Sequence, residues 1–395
     1  MVTNFDPAAA TANYIATLSP AALAKAIAYT RGGHWLLLWG FLVAILSAWL
    51  IIRSGVIARA DAALQRRRPR PLIVSMAAAA LFVVADFLIQ LPWNVYASWW
   101  REKQYALTSQ ALPGWFADQL IGLVVAVVTT TVFFIVTYAL IRHARRTWWL
   151  WMGALAGVGL LAMITVEPLV VEPLLNTYTP APAGPMRDAA VALAKTAGVP
   201  DDKIYIFNGS KQSNRYTANV SGLFGSARVA MSDVMFKKGA DVAQVRATLG
   251  HEMGHYSRHH LIWFALIYSL LAVAGFGLVQ LTFPMAARLL GAKGVDIADP
   301  AGLPVIMAIV ATLSLLATPL TNTVTRTAEA DADAFGLRVA NEPDGMARAL
   351  IQTSEYRAPS PSDLEEFLFY DHPSVEHRVR RAMDWKASHP ATTAP

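Results

Sequence analysis

The chain has 395 residues, of which 55% are hydrophobic and 15% are charged, and its mean hydropathy is +0.39. Soluble globular proteins carry about 25% charged residues, so this composition excludes an ordinary soluble domain and indicates an integral membrane protein. The net charge of +6 does not predict a nucleic-acid partner, because its densest basic cluster lies between two apolar runs, where arginine normally sets membrane orientation. The chain has no cysteine, so any metal site must use His and carboxylate ligands.

Six apolar runs are long enough, at about 20 residues each, to cross a lipid bilayer as helices. They lie at residues 33–52, 72–91, 119–140, 148–170, 261–281 and 303–320. We therefore predict a mainly α, polytopic transmembrane protein, in the inner membrane if the host is bacterial. The Ala-rich segment 20–30 is a weak candidate for a further helix on the membrane surface.

Residues 176–260 have the composition of a small α/β domain. Residues 186–197 have a helical pattern that Gly198 ends. Short β-branched or alternating runs predict strands at residues 203–207, 215–221 and 227–231. We expect two regions: 1–175 with four spans, and 176–395 with this α/β domain, the other two spans and a helical tail.

The segment 241–260 is predicted to be a helix, and it contains the motif HExxH, as His251-Glu252-Met253-Gly254-His255. On a helix this spacing places two imidazoles on one face, where both can bind a single Zn²⁺. The glutamate between them can take a proton from the attacking water, which is typical of peptide-bond hydrolysis. Chance occurrence of a pentapeptide is the alternative, so the surrounding sequence must supply a third ligand.

Glu329 is the best candidate for the third metal ligand. The spans 261–281 and 303–320 form a hairpin, so the segments before and after it leave the membrane on the same side. His251 and His255 lie ten and six residues before the hairpin, and Glu329 lies nine residues after it. At 1.5 Å per residue, all three would stand about 9–15 Å above one membrane surface.

Asp333 lies one helical turn after Glu329 and can accept a hydrogen bond from the free ring nitrogen of a zinc-bound histidine. A solvated acid on a helix surface is the alternative. Asp331 points to another face, which favours a structural role. His259 and His260 are predicted to be polar residues at the membrane interface.

These residues resemble the CAAX prenyl protease 1 type of integral-membrane zinc endopeptidase over most of the chain from the second apolar run onward. The resemblance lies in Arg101–Tyr105, Glu172–Pro180, the HExxH motif, the helix with Arg326, Glu329 and Asp333, and His372-Pro373.

The resemblance implies one zinc ion bound by His251, His255 and Glu329, with Glu252 as general base. It also implies a ring of membrane helices around a water-filled chamber, and a catalytic domain that faces the cytoplasm. Relatives have a His and an Arg six residues apart that contact the substrate or the transition state. His372 and Arg378 have this spacing here.

Two features depart from the family. Relatives have an Asn-Ala-Tyr strand that pairs with the substrate backbone, whereas this chain has Thr217, Ala218 and Asn219 within a different sequence. The family usually has seven spans, one more than predicted here. The loops 53–71 and 141–147 contain six and three arginines, which predicts that they are cytoplasmic and that the catalytic domain lies on the opposite side.

We therefore predict a membrane-embedded zinc endopeptidase that cleaves a peptide or protein substrate of the membrane-associated or prenylated type. A quality-control protease that clips misfolded membrane proteins could use the same site. An inactive scaffold or transporter would have lost Glu252 or a metal ligand, and all four residues are present. Cleavage inside the bilayer is disfavoured by the polar run 256–260, which separates the motif from the next span.

Overall fold

A computed structural model describes residues 5–66 and 69–389; Arg67 and Arg68 of the predicted basic loop lie outside the described residues. The α-helices in this part of the chain are α1 (Pro7–Ala16), α2 (Pro20–Ser54), α3 (Val56–Gln65), α4 (Pro71–Asn94), α5 (Arg101–Gln104), α6 (Leu112–His143), α7 (Trp148–Val170), α8 (Glu172–Leu175), α9 (Pro185–Ala197), α10 (Asp233–Lys237), α11 (Val242–Ser257), α12 (His260–Leu290), α13 (Leu303–Ala340), α14 (Pro343–Thr353), α15 (Asp363–Phe369) and α16 (Val375–Ser388). The strands are β1 (Tyr178–Pro180), β2 (Ile204–Phe207), β3 (Ala218–Ser221) and β4 (Arg228–Ser232).

Within the described residues, six helical segments are long and apolar enough to cross a membrane, which confirms the predicted count. They are Pro20–Ser54, Pro71–Gln104, Leu112–His143, Trp148–Leu175, His260–Leu290 and Pro300–Ala340. The prediction of a separate surface helix at 20–30 is wrong, because this segment is the first part of α2. Ser19 caps α2 by accepting a hydrogen bond from the backbone of Ala22 at 3.2 Å, and no break follows until Gly55.

The predicted strands form a four-stranded sheet with the order β1-β2-β4-β3. β2 and β4 are parallel, whereas β1 and β3 pair with them in the antiparallel direction. β1 was not predicted, because three residues are too few to show alternation. The order leaves β3 at one edge of the sheet, where its second row of backbone groups is not paired within the sheet.

The HExxH helix α11 begins and ends at defined backbone features. Asp241 and Gln244 form a capping box, in which each side chain bonds the backbone N–H of the other at 2.8 and 3.2 Å. The helix ends at Ser257 rather than continuing to residue 260 as predicted, because His259 has a left-handed conformation with φ +57°. The transmembrane helix α12 therefore starts in a new direction at His260.

Helix α11 is held on two sides. Leu249 and Met253 are fully buried in the core beneath the sheet, together with Met231 of β4. Ala247 belongs to a second apolar cluster, which includes Val379 of α16. The remaining face of α11 carries the polar residues of the motif.

Helix α13 continues from the membrane into the α/β domain. Its 38 residues pass through Pro319 without a break and span about 57 Å at 1.5 Å per residue. The helix predicted at 324–340 is therefore the end of the last span, and Glu329 is held by the same rigid element that crosses the membrane.

Candidate active site and metal centre

A seam of small residues brings α13 into direct contact with α11. A Cβ atom added to Gly254 would lie 3.1 Å from the Cα of Ala332, and one added to Gly336 would lie 2.8 Å from the backbone nitrogen of His251. The backbones are therefore in contact without side chains between them. This close approach places Glu329 beside the two histidines.

The three predicted metal ligands converge. The Nε2 atoms of His251 and His255 lie 3.3 Å apart, and they lie 3.2 and 3.3 Å from the two carboxylate oxygens of Glu329. Tetrahedral ligand atoms about 2.0–2.1 Å from a zinc ion are about 3.3–3.4 Å from one another. The spacing of these donors therefore fits one small tetrahedral metal ion.

The chemistry of the site also fits such an ion. Glu329 is 6% exposed, and among the described residues its buried Oε2 atom has no hydrogen-bond partner. A buried carboxylate oxygen without a partner is costly unless a cation neutralises it. Two imidazoles and one carboxylate form a donor set that leaves a fourth position open for water or substrate.

Asp333 lies behind His251, as predicted. It is fully buried, and its Oδ1 atom lies 2.9 Å from Nδ1 of His251. Arg378 donates to both oxygens of Asp333, at 2.9 Å from Nε and 2.6 Å from Nη2, and Arg381 adds a contact of 3.3 Å. The guanidinium of Arg378 is thus engaged mainly with Asp333, and its Nη2 atom is 4.0 Å from Glu329.

His372 approaches the donor triangle from the C-terminal segment. Its Nε2 atom lies 3.3 Å from Oε2 of Glu329, and its Nδ1 atom lies 2.8 Å from the carboxylate of Asp371. Because a carboxylate accepts, Asp371 orients the ring so that Nε2 points towards the triangle.

The segment that carries His372 is fixed by α13. Arg326 donates to the backbone carbonyls of Glu366 at 2.9 Å and Phe367 at 3.3 Å, and also to that of Tyr370. Asn322 donates to the carbonyl of Leu368 at 3.1 Å. These carbonyls lie at the C-terminus of α15, where a helix leaves its last carbonyls without partners of its own; Glu366 is the exception, because it also accepts from the backbone N–H of Tyr370 at 3.1 Å. One helix therefore carries Glu329 and also holds the segment that positions His372.

A cavity of about 210 Å³ connects these groups with the sheet edge. Its lining includes Tyr216, Thr217, Ala218, Thr248, His251, Glu252, Tyr356, Arg357, His372 and Arg378. Thr217 accepts a hydrogen bond from the backbone of Ser232, and antiparallel pairing alternates, so Asn219 also faces β4. The N–H and C=O groups of Ala218 consequently face the open edge.

The segment before β3 is tied to the membrane helices. Glu102 is 9% exposed, and it accepts hydrogen bonds from Arg215 at 2.6 Å and from Tyr29 of α2. Asn214 donates from its backbone to the carbonyl of Leu107 at 2.8 Å. The Arg101–Tyr105 segment thus anchors the chain immediately ahead of the strand edge.

The electrostatics of the site favour a cation and a base. Burial raises the pKa of the Glu252 carboxyl, although His251 and His255 oppose this shift. Burial lowers the pKa of the His251 imidazole, but the adjacent carboxylates of Asp333 and Glu329 outweigh burial and raise it to about 10. Such a field stabilises positive charge at the triangle.

Burial lowers the pKa of His372 below 6.5, against the opposing hydrogen bond to Asp371. For Arg378, burial lowers the pKa, but the charge and hydrogen bonds of Asp333 reverse the shift and raise it. Arg378 is therefore charged at any pH at which the protein is folded.

His260, predicted to be a polar residue at the membrane interface, has protein partners that the sequence did not indicate. Its side chain is buried, and its ring nitrogens lie 3.1 Å from Nδ1 of His255 and 3.1 Å from Asp331. On a continuous helix, a residue five positions after His255 would point away from it, and the left-handed turn at His259 brings it back. No pattern of helical spacing predicts this contact. His259 is exposed.

Comparison with known proteins agrees with this geometry. A family model described as "Peptidase family M48" matches residues 180–386, and one described as "CAAX prenyl protease N-terminal, five membrane helices" matches residues 7–177. In the latter range, four of the described helices are long and apolar enough to cross a membrane.

The similar proteins cover most of the chain. YhfN of Bacillus subtilis, named an uncharacterized metalloprotease, is 24% identical over 92% of this chain and 86% of its own length. CAAX prenyl protease 1 of Saccharomyces cerevisiae is 24% identical over 88% of this chain and 78% of its own length.

The crystal structure of S. mikatae Ste24p has the same fold, with a TM-score of 0.75 at 20% identity over 96% of this chain and 95% of that one. The peptidase family model matches more than half of the 395 residues. The chain therefore belongs to peptidase family M48, and it is a membrane zinc metalloendopeptidase.

Proposed function

We propose that His251, His255 and Glu329 hold one zinc ion and that Glu252 is the general base. The convergence of His251, His255 and Glu329 is the observation on which this proposal rests: the two Nε2 atoms lie 3.3 Å apart, and each lies 3.2–3.3 Å from a different oxygen of Glu329, next to a cavity with an open strand edge. The orphaned, buried Oε2 atom of Glu329 supports it.

The substrate is proposed to bind as an added strand. The edge formed by Thr217, Ala218 and Asn219 offers backbone groups that can pair with an extended peptide. Ala218 has the outward-facing groups, and it lies in the same cavity as Glu252. Backbone pairing fixes the scissile bond without depending on one substrate side chain.

In the proposed mechanism, a bound zinc ion supplies Lewis-acid chemistry, since it lowers the pKa of water and polarises a carbonyl. Glu252 takes a proton from the attacking water and returns it to the leaving amine. A carboxyl with a pKa raised by burial suits this exchange near neutral pH.

His372, when protonated, donates from Nε2 to the developing oxyanion, and because burial lowers its pKa this contribution increases as the pH falls. Asp371 fixes the ring for this donation from a distance of 2.8 Å. Arg378 acts mainly through Asp333, which holds His251 in the orientation that leaves Nε2 free to bind the metal.

The proposed substrates are membrane-associated proteins or peptides, including prenylated ones. The names of several relatives refer to CAAX prenyl proteases. HExxH lies immediately before the membrane helix α12, and Glu329 lies near the end of the last membrane helix. We also propose a division of the chain into residues 1–175 and 176–395, which the ranges of the two family models support.

The catalytic side is proposed to face the cytoplasm, in the inner membrane of a bacterial host. The chain has no cysteine, so single cysteines at the exposed positions Asp202 and Arg145 can be labelled from either side of intact cells. We expect a membrane-impermeant thiol reagent to label Arg145→Cys and not Asp202→Cys. The reverse pattern would instead agree with the arginine counts of the loops and overturn this orientation.

The catalytic assignment is tested with Glu252→Gln. The variant should keep its zinc, because the three ligands are unchanged, and it should lose cleavage of a membrane-anchored reporter peptide by about 10²-fold or more. Glu376→Gln, an exposed acid in the same region, is the matched control and should cleave normally. Normal cleavage by Glu252→Gln would exclude its role as the base.

A further inference from the structure

A chain of hydrogen-bonding groups extends from His255 away from the donor triangle. Nδ1 of His255 lies 3.1 Å from Nδ1 of His260, and Nε2 of His260 lies 3.1 Å from Oδ2 of Asp331. The same oxygen of Asp331 accepts a hydrogen bond from Nε of Arg258 at 2.8 Å. His260 is 6% exposed, so water does not readily replace its partners.

The direction of each hydrogen bond from His255 through His260 to Asp331 is set by the metal at one end and the carboxylate at the other. If His255 binds a metal through Nε2, its Nδ1 atom must carry the proton and donate. Nδ1 of His260 then accepts, which leaves the proton of its neutral ring on Nε2. That proton is donated to Asp331, a carboxylate that only accepts. Every contact in the chain is satisfied by this one arrangement of protons.

We infer that His260 and Asp331 are positioning residues that hold His255 in the tautomer and orientation needed to bind zinc. This inference rests on the proposed function. It gives His255 the same kind of support that Asp333 gives His251 at 2.9 Å. Helix α13 then supplies a ligand in Glu329 and the terminal acceptors for both histidines in Asp331 and Asp333.

The backbone between the two histidines serves this contact. His259 has φ +57°, a conformation that is uncommon for a residue with a side chain. The turn ends α11 and starts α12 so that the His260 ring stands beside the His255 ring, with centroids 5.1 Å apart. The backbone turn at the junction between α11 and α12 therefore positions His260, and the exposed side chain of His259 takes no part in the contact.

The inference is tested by zinc affinity, measured on the full chain in detergent by competition with a chromophoric chelator. His260→Phe keeps a ring of similar size but removes the acceptor, and we expect zinc binding to weaken about 10- to 100-fold. His260→Asn loses the ring but can accept from Nδ1 of His255 through its amide oxygen, so its zinc affinity should be closer to that of the wild type.

A matched control and a double variant complete the test. His259→Asn changes the exposed neighbour, and Asn tolerates the left-handed conformation, so zinc affinity should not change. Asp331→Asn should weaken binding less than His260→Phe, and the two changes together should weaken it no further than His260→Phe alone, because they interrupt one chain.

The outcomes separate the two proposals. If the wild type binds no zinc, the proposed function fails. If the wild type binds zinc and His260→Phe binds it equally tightly, or if His260→Asn is weaker than His260→Phe, the positioning role is overturned while the metal site stands. Thermal unfolding of the metal-free variants is measured in parallel. A loss of zinc affinity with an unchanged unfolding temperature supports the positioning of His255 by hydrogen bonds rather than a packing role for His260.

Discussion

Gly336→Ala tests whether the contact between α11 and α13 sets the geometry of the metal site. The added Cβ would lie 2.8 Å from the backbone nitrogen of His251, and 3.0 Å from the carbonyl carbon of Gly250. Both obstacles are backbone atoms, so no side chain can rotate away. Ordinary contact begins at 3.4 Å, and the two helices must therefore separate by about 0.6 Å at this point, which overpacking data place at about 1–3 kcal/mol.

The separation of α11 and α13 at Gly336 also displaces Glu329 from the two histidines. Glu329 lies seven residues before Gly336, on the same face of α13 and about 10 Å along its axis. Zinc sites tolerate changes of about 0.2 Å in ligand distances, so a shift of several tenths of an ångström strains the 3.2–3.3 Å triangle. Disturbing the groups that orient zinc ligands typically costs about 10- to 100-fold in affinity, and we expect a loss in this range.

The assay combines chelator competition with thermal unfolding of the metal-free protein. Gly275→Ala is the matched control, since among the described residues no atom lies within 4 Å of a Cβ added there. It should leave zinc affinity unchanged. If Gly336→Ala bound zinc as tightly as the wild type and unfolded at the same temperature, the close helix contact would not determine the site.

Two further predictions concern the substrate edge and the C-terminal segment. Ala218→Pro removes the N–H that points away from β4 and towards the substrate, without breaking the pairing of β3 with β4. Because one hydrogen bond to the substrate backbone is lost, kcat/KM should fall about 5- to 30-fold, equivalent to about 1–2 kcal/mol. Ala218→Ser keeps the N–H and is the control, and equal activity of the two variants would argue against strand addition. Arg326→Gln releases the α15 carbonyls and should lower kcat about 10- to 100-fold while zinc affinity is retained. Arg380→Gln, on an exposed helix surface, is its control. An unchanged kcat in Arg326→Gln would show that the hydrogen bonds of Arg326 do not position His372.

Much of the fold could be predicted because its signals are local. The six apolar runs predict spans, since about 20 apolar residues have few other stable environments. The three longer strands and the helix at 185–197 were also visible, because alternation and helix-ending glycine depend on neighbouring residues alone. Helix limits were less certain: the segment 20–30 is continuous with α2, and α11 stops three residues before the predicted end at 260.

The candidate site was partly visible from the sequence. The spacing of HExxH and the hairpin between residues 261 and 320 were enough to select His251, His255 and Glu329, because helix periodicity and rise per residue fix their faces and heights. Their convergence at 3.2–3.3 Å was not predictable, since it depends on how closely Gly254 and Gly336 let two distant helices approach.

The sequence by itself therefore determined the membrane class, and it selected the candidate metal donors and the candidate general base. The tertiary structure decided which strand lies at the sheet edge, that Arg326 holds the segment with His372, and that His260 contacts His255. The physical reason is that each of these contacts joins residues from different elements, or depends on one left-handed residue, His259. Periodicity describes a single regular element, and it carries no information about where that element stops or what packs against it.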